Sequence, residues 1–146
     1  SLLKDGDAVT AEGCIFCKIV SKEAPASYVY EDDKVMAFMD TRPLNEGHTL
    51  VIPKGHYKTV YEVPEEEVAH LYKVVKRVAL AVKKGVEAEG VSIKQHNERA
   101  AGQDVFHVHV HVIPRYEGQK LPRFEELQEA SRAKLDEVAA KLSKHI

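Results

Sequence analysis

Three histidines, His107, His109 and His111, stand one residue apart with Val108 and Val110 between them. On a strand, successive side chains point to opposite faces, so the three imidazoles share one face and the valines the other. Burying three adjacent imidazoles for packing alone is costly, because each ring nitrogen needs a hydrogen-bond partner. That leaves a metal-binding strand built from alternating histidines, or catalysis. A neutral imidazole carries a proton on one ring nitrogen and a lone pair on the other. Where a backbone carbonyl takes the N–H, the second nitrogen is a nucleophile near neutral pH. Attack on phosphorus by the central His109 would form a labile phosphoramidate that water cleaves, while a flanking histidine binds phosphate oxygens or helps the leaving group depart.

The loop just upstream offers Asn97, Gly102, Gln103 and Asp104. These supply amide donors and a glycine that lets backbone approach a ligand, although the same residues mark ordinary turns. Cys14 and Cys17 form a C-x-x-C pair. Zinc would need two further ligands beside them; a redox pair and unligated thiols are the alternatives.

Positioning these groups requires a small mixed domain. Residues 1–13 are polar and aperiodic and read as a flexible lead-in, ahead of a single domain over 14–146. The run CIFCKIV (14–20) suits a short helix or turn. SYVYEDDKVMAFMD (27–40) reads as a hairpin about Glu31-Asp32-Asp33, and HTLVIP (48–53) as another strand. Pro64 opens a helix with Glu65–Glu67 in its first turn and Val68, Leu71, Val75, Val78 and Val82 at three-four spacing. VSIKQ (91–95) and VFHVHVHVIP (105–114) are strands. The stretch 124–144 is predicted as a second amphipathic helix through Phe124, Leu127, Leu135, Val138 and Leu142. Strands and helices do not alternate regularly, which favours an antiparallel α+β sheet over a doubly wound one.

With 146 residues, 44% hydrophobic and 30% charged, one core is affordable. A net charge of −2 without single-sign runs gives no reason to expect nucleic acid or membrane as a partner. No basic-then-apolar leader precedes the domain, so a cytoplasmic protein is expected.

The run HVHVHVI (107–113) resembles the signature of the histidine triad (HIT) family, and the likeness extends through GQDVFH, HTLVIPKGH, FMD and CIFCKI, from Cys14 to Arg115. The resemblance implies a HIT-like fold: a five-stranded antiparallel sheet with two main helices, here with a C-terminal helical extension, and a homodimer with a continuous sheet. It implies a purine nucleotide substrate, with AMP or another nucleoside monophosphate released through the middle histidine, His109. His111, Asn97 and Gln103 would contact the phosphate beside Gly102, and Asp40 would grip the ribose hydroxyls. Phe16, Ile19, Phe38 and Leu50 would enclose the base, with His48 near the pocket. A zinc-bearing subset implies one structural zinc per subunit on Cys14, Cys17, His56 and His107. The Hint-type branch, which cleaves nucleoside phosphoramidates, is the nearest likeness, and dinucleoside polyphosphate hydrolysis is also compatible. A nucleotide- and zinc-binding module with little turnover is the alternative. One departure stands out: Asp104 occupies a position where the family commonly has Ser or Thr, and an ionised carboxylate repels phosphate where a hydroxyl would donate to it.

Overall fold

The computed structural model describes residues 12–146; the first eleven residues of the expected lead-in lie outside the described residues. The chain runs α1 (Ile15–Val20), β1 (Tyr28–Glu31), β2 (Val35–Met39), β3 (Thr49–Pro53), α2 (Glu65–Gly85), β4 (Gly90–Gln95), β5 (Val110–Arg115) and α3 (Arg132–Ser143), with three short 3-10 turns between them. The strands form one antiparallel sheet in the order β1-β2-β3-β5-β4, the architecture the sequence pattern predicts. No helix among the described residues is long and apolar enough to cross a membrane.

The central strands β2 and β3 are buried along their whole length because both faces of the sheet are covered. Alternation sorts their side chains. Val35, Ala37, Met39 and Val51, with Val110 and Val112, pack against Leu71, Val75, Val78 and Val82 of α2 and Leu135, Val138 and Leu142 of α3. Met36, Phe38, Leu50 and Ile52 face the other way, against Phe16 and Ile19 of α1. Pairing brings Phe38, Leu50, His111 and Lys94 into one line across four strands. Histidine chemistry therefore shares the α1 face with an apolar wall.

Two predicted elements are shorter than their patterns suggest. The strand expected over 105–114 begins at Val110. Continuing the register from Val51 opposite Val110 would bring Pro53 opposite Val108, and Pro53 has no N–H for the ladder. Val108 donates its N–H to the Tyr57 carbonyl instead, at 2.7 Å. The helix expected over 124–144 begins at Arg132, where the Ser131 hydroxyl caps it by accepting the Lys134 N–H. Phe124–Glu126 form only a 3-10 turn. The segment between them crosses the sheet end as a strap, held by the Ala130 N–H on the Thr41 carbonyl (2.9 Å) and Arg42 Nη2 on the Leu127 carbonyl (3.0 Å).

The β1–β2 turn rests on Asp32. Its Oδ1 accepts the Lys34 and Val35 N–H groups, and its Oδ2 lies 2.8 Å from the Tyr30 hydroxyl and 2.7 Å from His70 Nε2 on α2. Burial alone would raise its pKa, but the Lys34 N–H and these other donors hold the carboxyl down at about 2. Asp32→Ala is expected to cost about 1–2 kcal/mol at pH 7 in urea unfolding. A carboxyl depressed on folding contributes stability above its unfolded value near 4 and loses it as pH falls toward 2. The deficit of the variant should therefore shrink across that window; a deficit independent of pH would contradict the assignment.

Candidate functional site

The site lies where α1, the end of β2, β3, β5 and the β4–β5 loop converge on a cavity of about 870 Å³. Phe16, Ile19, Phe38 and Leu50 line it while also packing together as the core on that face. Phe16 meets Phe38 edge-on, with ring centroids 5.5 Å apart, and meets His109 likewise at 5.2 Å.

Hydrogen bonds assign the imidazole protons. His109 Nδ1 lies 2.7 Å from the His107 carbonyl, so it carries the proton and donates it. Its Nε2 keeps the lone pair. His48 Nδ1 accepts the Leu44 N–H at 3.0 Å, which puts the His48 proton on Nε2. That nitrogen is 2.9 Å from His111 Nδ1, which must then accept, leaving the His111 proton on Nε2. The rings of His109 and His111 are 5.0 Å apart, and both line the cavity. A bare nitrogen and an N–H donor thus stand side by side.

Burial keeps these rings uncharged. It lowers His48 to about 3, with the charge of His111 adding to the effect, and lowers His111 to about 4, with His109 adding. It lowers His109 too, against the opposing pull of its bond to His107 and the Asp104 charge. Asp40 moves the other way: burial raises it to about 6, although its Oδ1 accepts the Arg42 N–H at 2.8 Å. Asp40 Oδ2 is 3.5 Å from His48 Nε2, and its carboxyl lines the cavity.

The β4–β5 loop divides its residues. Gly102, at φ 98°, and Asp104 line the cavity. Asn97 and Gln103 are not among its lining residues. Gln103 is 3% exposed; its amide nitrogen donates to the carbonyls of Lys58 and Val105, and its oxygen accepts the Glu98 N–H. Asn97 accepts the Val60 N–H and exchanges amide bonds with Gln95. These two amides set the loop's shape. Glu98 pays in backbone strain for that shape, at φ 77°, ψ 157°.

His107 is separated from the other two. Its Nε2 donates to the Pro53 carbonyl at 2.8 Å, which frees Nδ1 as a ligand atom. That Nδ1 lies 3.5 Å from Cys14 Sγ, 3.6 Å from Cys17 Sγ and 3.3 Å from His56 Nδ1, and Cys17 Sγ lies 3.3 Å from His56 Nδ1. All four ligand atoms fall within 4.8 Å of one another. Zinc bonds of about 2.0–2.1 Å to nitrogen and about 2.3 Å to sulfur imply tetrahedron edges of about 3.3–3.8 Å. The four separations of 3.3–3.6 Å fall in that range, so the residues suit such an ion.

Several cavity residues were not anticipated. Lys94 enters from β4, and Phe124, Leu127 and Arg132 from the strap and the start of α3; His96, beside the loop in sequence, also lines the cavity. Lys94 had a readable signal, since strand alternation fixes its face once β4 pairs with the histidine strand. The strap had only Ser131 as a capping residue to mark where the helix starts.

Comparison with known proteins agrees with this geometry. The HIT domain family model matches residues 21–118. The chain is 48% identical over 126 residues to an uncharacterized HIT-like protein of Methanocaldococcus jannaschii, covering 86% of this chain and 95% of that protein. It is 41% identical over 129 residues to adenylylsulfatase HINT3 of Arabidopsis thaliana, covering 88% of this chain and 65% of that one. A hypothetical histidine triad nucleotide-binding protein of Sulfolobus tokodaii superposes with a TM-score of 0.83 at 38% identity, over 90% of this chain and 91% of the other. A zinc-bound histidine triad family protein of Mycobacterium smegmatis does so at 0.80 and 40% identity, over 91% and 92%. By its matched domain, its relatives and its fold, the chain belongs to the histidine triad family.

Proposed function

We propose that this protein is a nucleotidyl hydrolase that binds a purine nucleotide and releases a nucleoside monophosphate through a covalent intermediate on His109. The observation that carries this reading is the pair of opposite tautomers, a bare His109 Nε2 beside an N–H of His111. The lone pair of His109 attacks the α-phosphorus, forming a P–N bond as the bond to the leaving group breaks. His111 Nε2–H donates to a phosphoryl oxygen, where negative charge grows in the transition state. A leaving amine takes its proton from water at the open mouth; a leaving phosphate departs as the anion. Water then attacks phosphorus, the P–N bond breaks, the pair returns to His109, and the water's proton goes to solvent.

The remaining roles follow from placement. Asp40, ionised above about pH 6, would accept from the two ribose hydroxyls, and Phe16, Ile19, Phe38 and Leu50 would hold the base. Adenylylsulfatase activity in the Arabidopsis relative and nucleotide binding in the Sulfolobus relative support the class of chemistry. Cys14, Cys17, His56 and His107 would hold a zinc ion, a reading supported by their clustering and by the zinc-bound state of the mycobacterial relative. Four protein ligands leave it no open position. Its part is to tie α1 to the chain just before β5. The open edge of β4, with Ile93 40% exposed, supports a homodimer joined through the sheet.

Two measurements test this. His109→Ala should lower AMP release from adenosine 5′-phosphoramidate by at least about 10³-fold while AMP still binds. Turnover kept by the variant would overturn the histidine mechanism, and AMP binding without turnover in the parent protein would identify a binding module instead. Elemental analysis should find one zinc per chain in the parent protein, lost in Cys17→Ser, and chelation should lower Tm by about 10 °C. A zinc-free protein whose Tm ignores the chelator would refute the metal assignment.

A further inference from the structure

Asp104 has no place in the mechanism above, yet it stands at its centre. Its Oδ1 lies 3.7 Å from His109 Nε2, the attacking atom. The Asp104 side chain is 62% exposed; the same oxygen accepts its neighbour Val105's N–H at 2.9 Å, and the backbone of the loop beneath is fixed by the three hydrogen bonds of the buried Gln103 amide. Any phosphate presented to His109 therefore arrives beside the Asp104 carboxylate. Asp40 adds a second carboxylate to the same cavity.

The positive charges are unevenly available. Arg42 donates one guanidinium N–H to the Leu127 carbonyl and lies over the Phe124 ring, at 5.1 Å from its centroid. Arg132 donates to the Ser27 hydroxyl. Lys94 is the cation that stands opposite His111 on the neighbouring strand. One phosphate between His109 and His111 can be balanced by Lys94 and the His111 N–H. A second or third phosphate would add further negative charge beside the Asp104 carboxylate.

Building on the nucleotidyl-hydrolase reading, we propose that Asp104 is the specificity-determining residue of the site. Its carboxylate admits nucleotides with a single phosphate whose leaving group is neutral or cationic, and disfavours those whose leaving group is itself a phosphate. The substrates so selected are nucleoside 5′-phosphoramidates of amines, and the residue acts by position and charge without taking part in bond making.

The test is a comparison of kcat/KM for adenosine 5′-phosphoramidate and diadenosine tetraphosphate in the parent protein, Asp104→Asn and Asp104→Glu, at low and high salt. The parent should favour the phosphoramidate. Asp104→Asn should shift the ratio toward the tetraphosphate by about tenfold or more, Asp104→Glu should keep the parent's preference, and salt should narrow the gap in the parent but not in Asp104→Asn. A ratio unmoved by Asp104→Asn, with both substrates turned over, would overturn the proposal and leave the hydrolase reading intact. If neither substrate is cleaved, that reading fails separately. Calorimetric Kd values for AMP, ADP and ATP then decide on Asp104 alone: affinity falling with each added phosphate in the parent and levelling in Asp104→Asn supports it, and parallel series refute it.

Discussion

The hydrogen bond from His109 Nδ1 to the His107 carbonyl, 2.7 Å long, is the contact on which the rest of the site depends. It decides which nitrogen of His109 is bare. It is available because the chain is not yet in the sheet at residue 107: β5 starts at Val110. The break follows from Pro53, which has no N–H to offer, and from Tyr57, whose carbonyl captures the Val108 N–H. His107 is itself fixed at both ring nitrogens, by the Pro53 carbonyl on one side and the Cys14–Cys17–His56 cluster on the other. A zinc ion there would thus act on the proposed nucleophile, His109, through one residue's backbone.

The second half of the site is wired in the same way from a different element. The loop between β2 and β3 presents the Leu44 N–H to His48, and His48 passes its own N–H to His111. Two backbone groups, the His107 carbonyl and the Leu44 amide, are therefore sufficient to give neighbouring histidines opposite tautomers. Burial makes the arrangement durable, because rings lowered to about 3 and 4 stay neutral well below physiological pH. The same burial works against Asp40, whose ionised carboxyl is destabilised up to about pH 6. Retaining an acid at that cost is what a ligand-binding role predicts and a packing role does not.

Much of this was legible in the residues. The alternation HVHVHV put Val108, Val110 and Val112 in the core and suggested the carbonyl-held imidazole; the C-x-x-C pair marked the thiolates; hydrophobic spacing located α2 and the central strands. Other features lay outside any local pattern. Alternation placed all three histidines on one face, and it overstated the strand, because Pro53 sits half the chain away and only pairing brings it opposite Val108. Asn97 and Gln103 look like phosphate donors in a glycine-containing loop; in the structure their amides bond Val60, Lys58 and Glu98, the first two of which are neighbours only after folding. The helix expected from Phe124 is a strap up to Ser131, because Arg42 and Thr41 draw its carbonyl and amide groups away from helical partners.

The tautomers themselves are the most direct test of this account. ¹⁵N NMR of histidine-labelled protein at pH 7 reports which ring nitrogen of each residue carries a proton. The structure predicts His109 protonated on Nδ1 with a bare Nε2, and His48 and His111 protonated on Nε2 with accepting Nδ1 atoms. A His109 protonated on Nε2, or an imidazolium at either His109 or His111, would remove the proposed nucleophile or donor and would contradict the account.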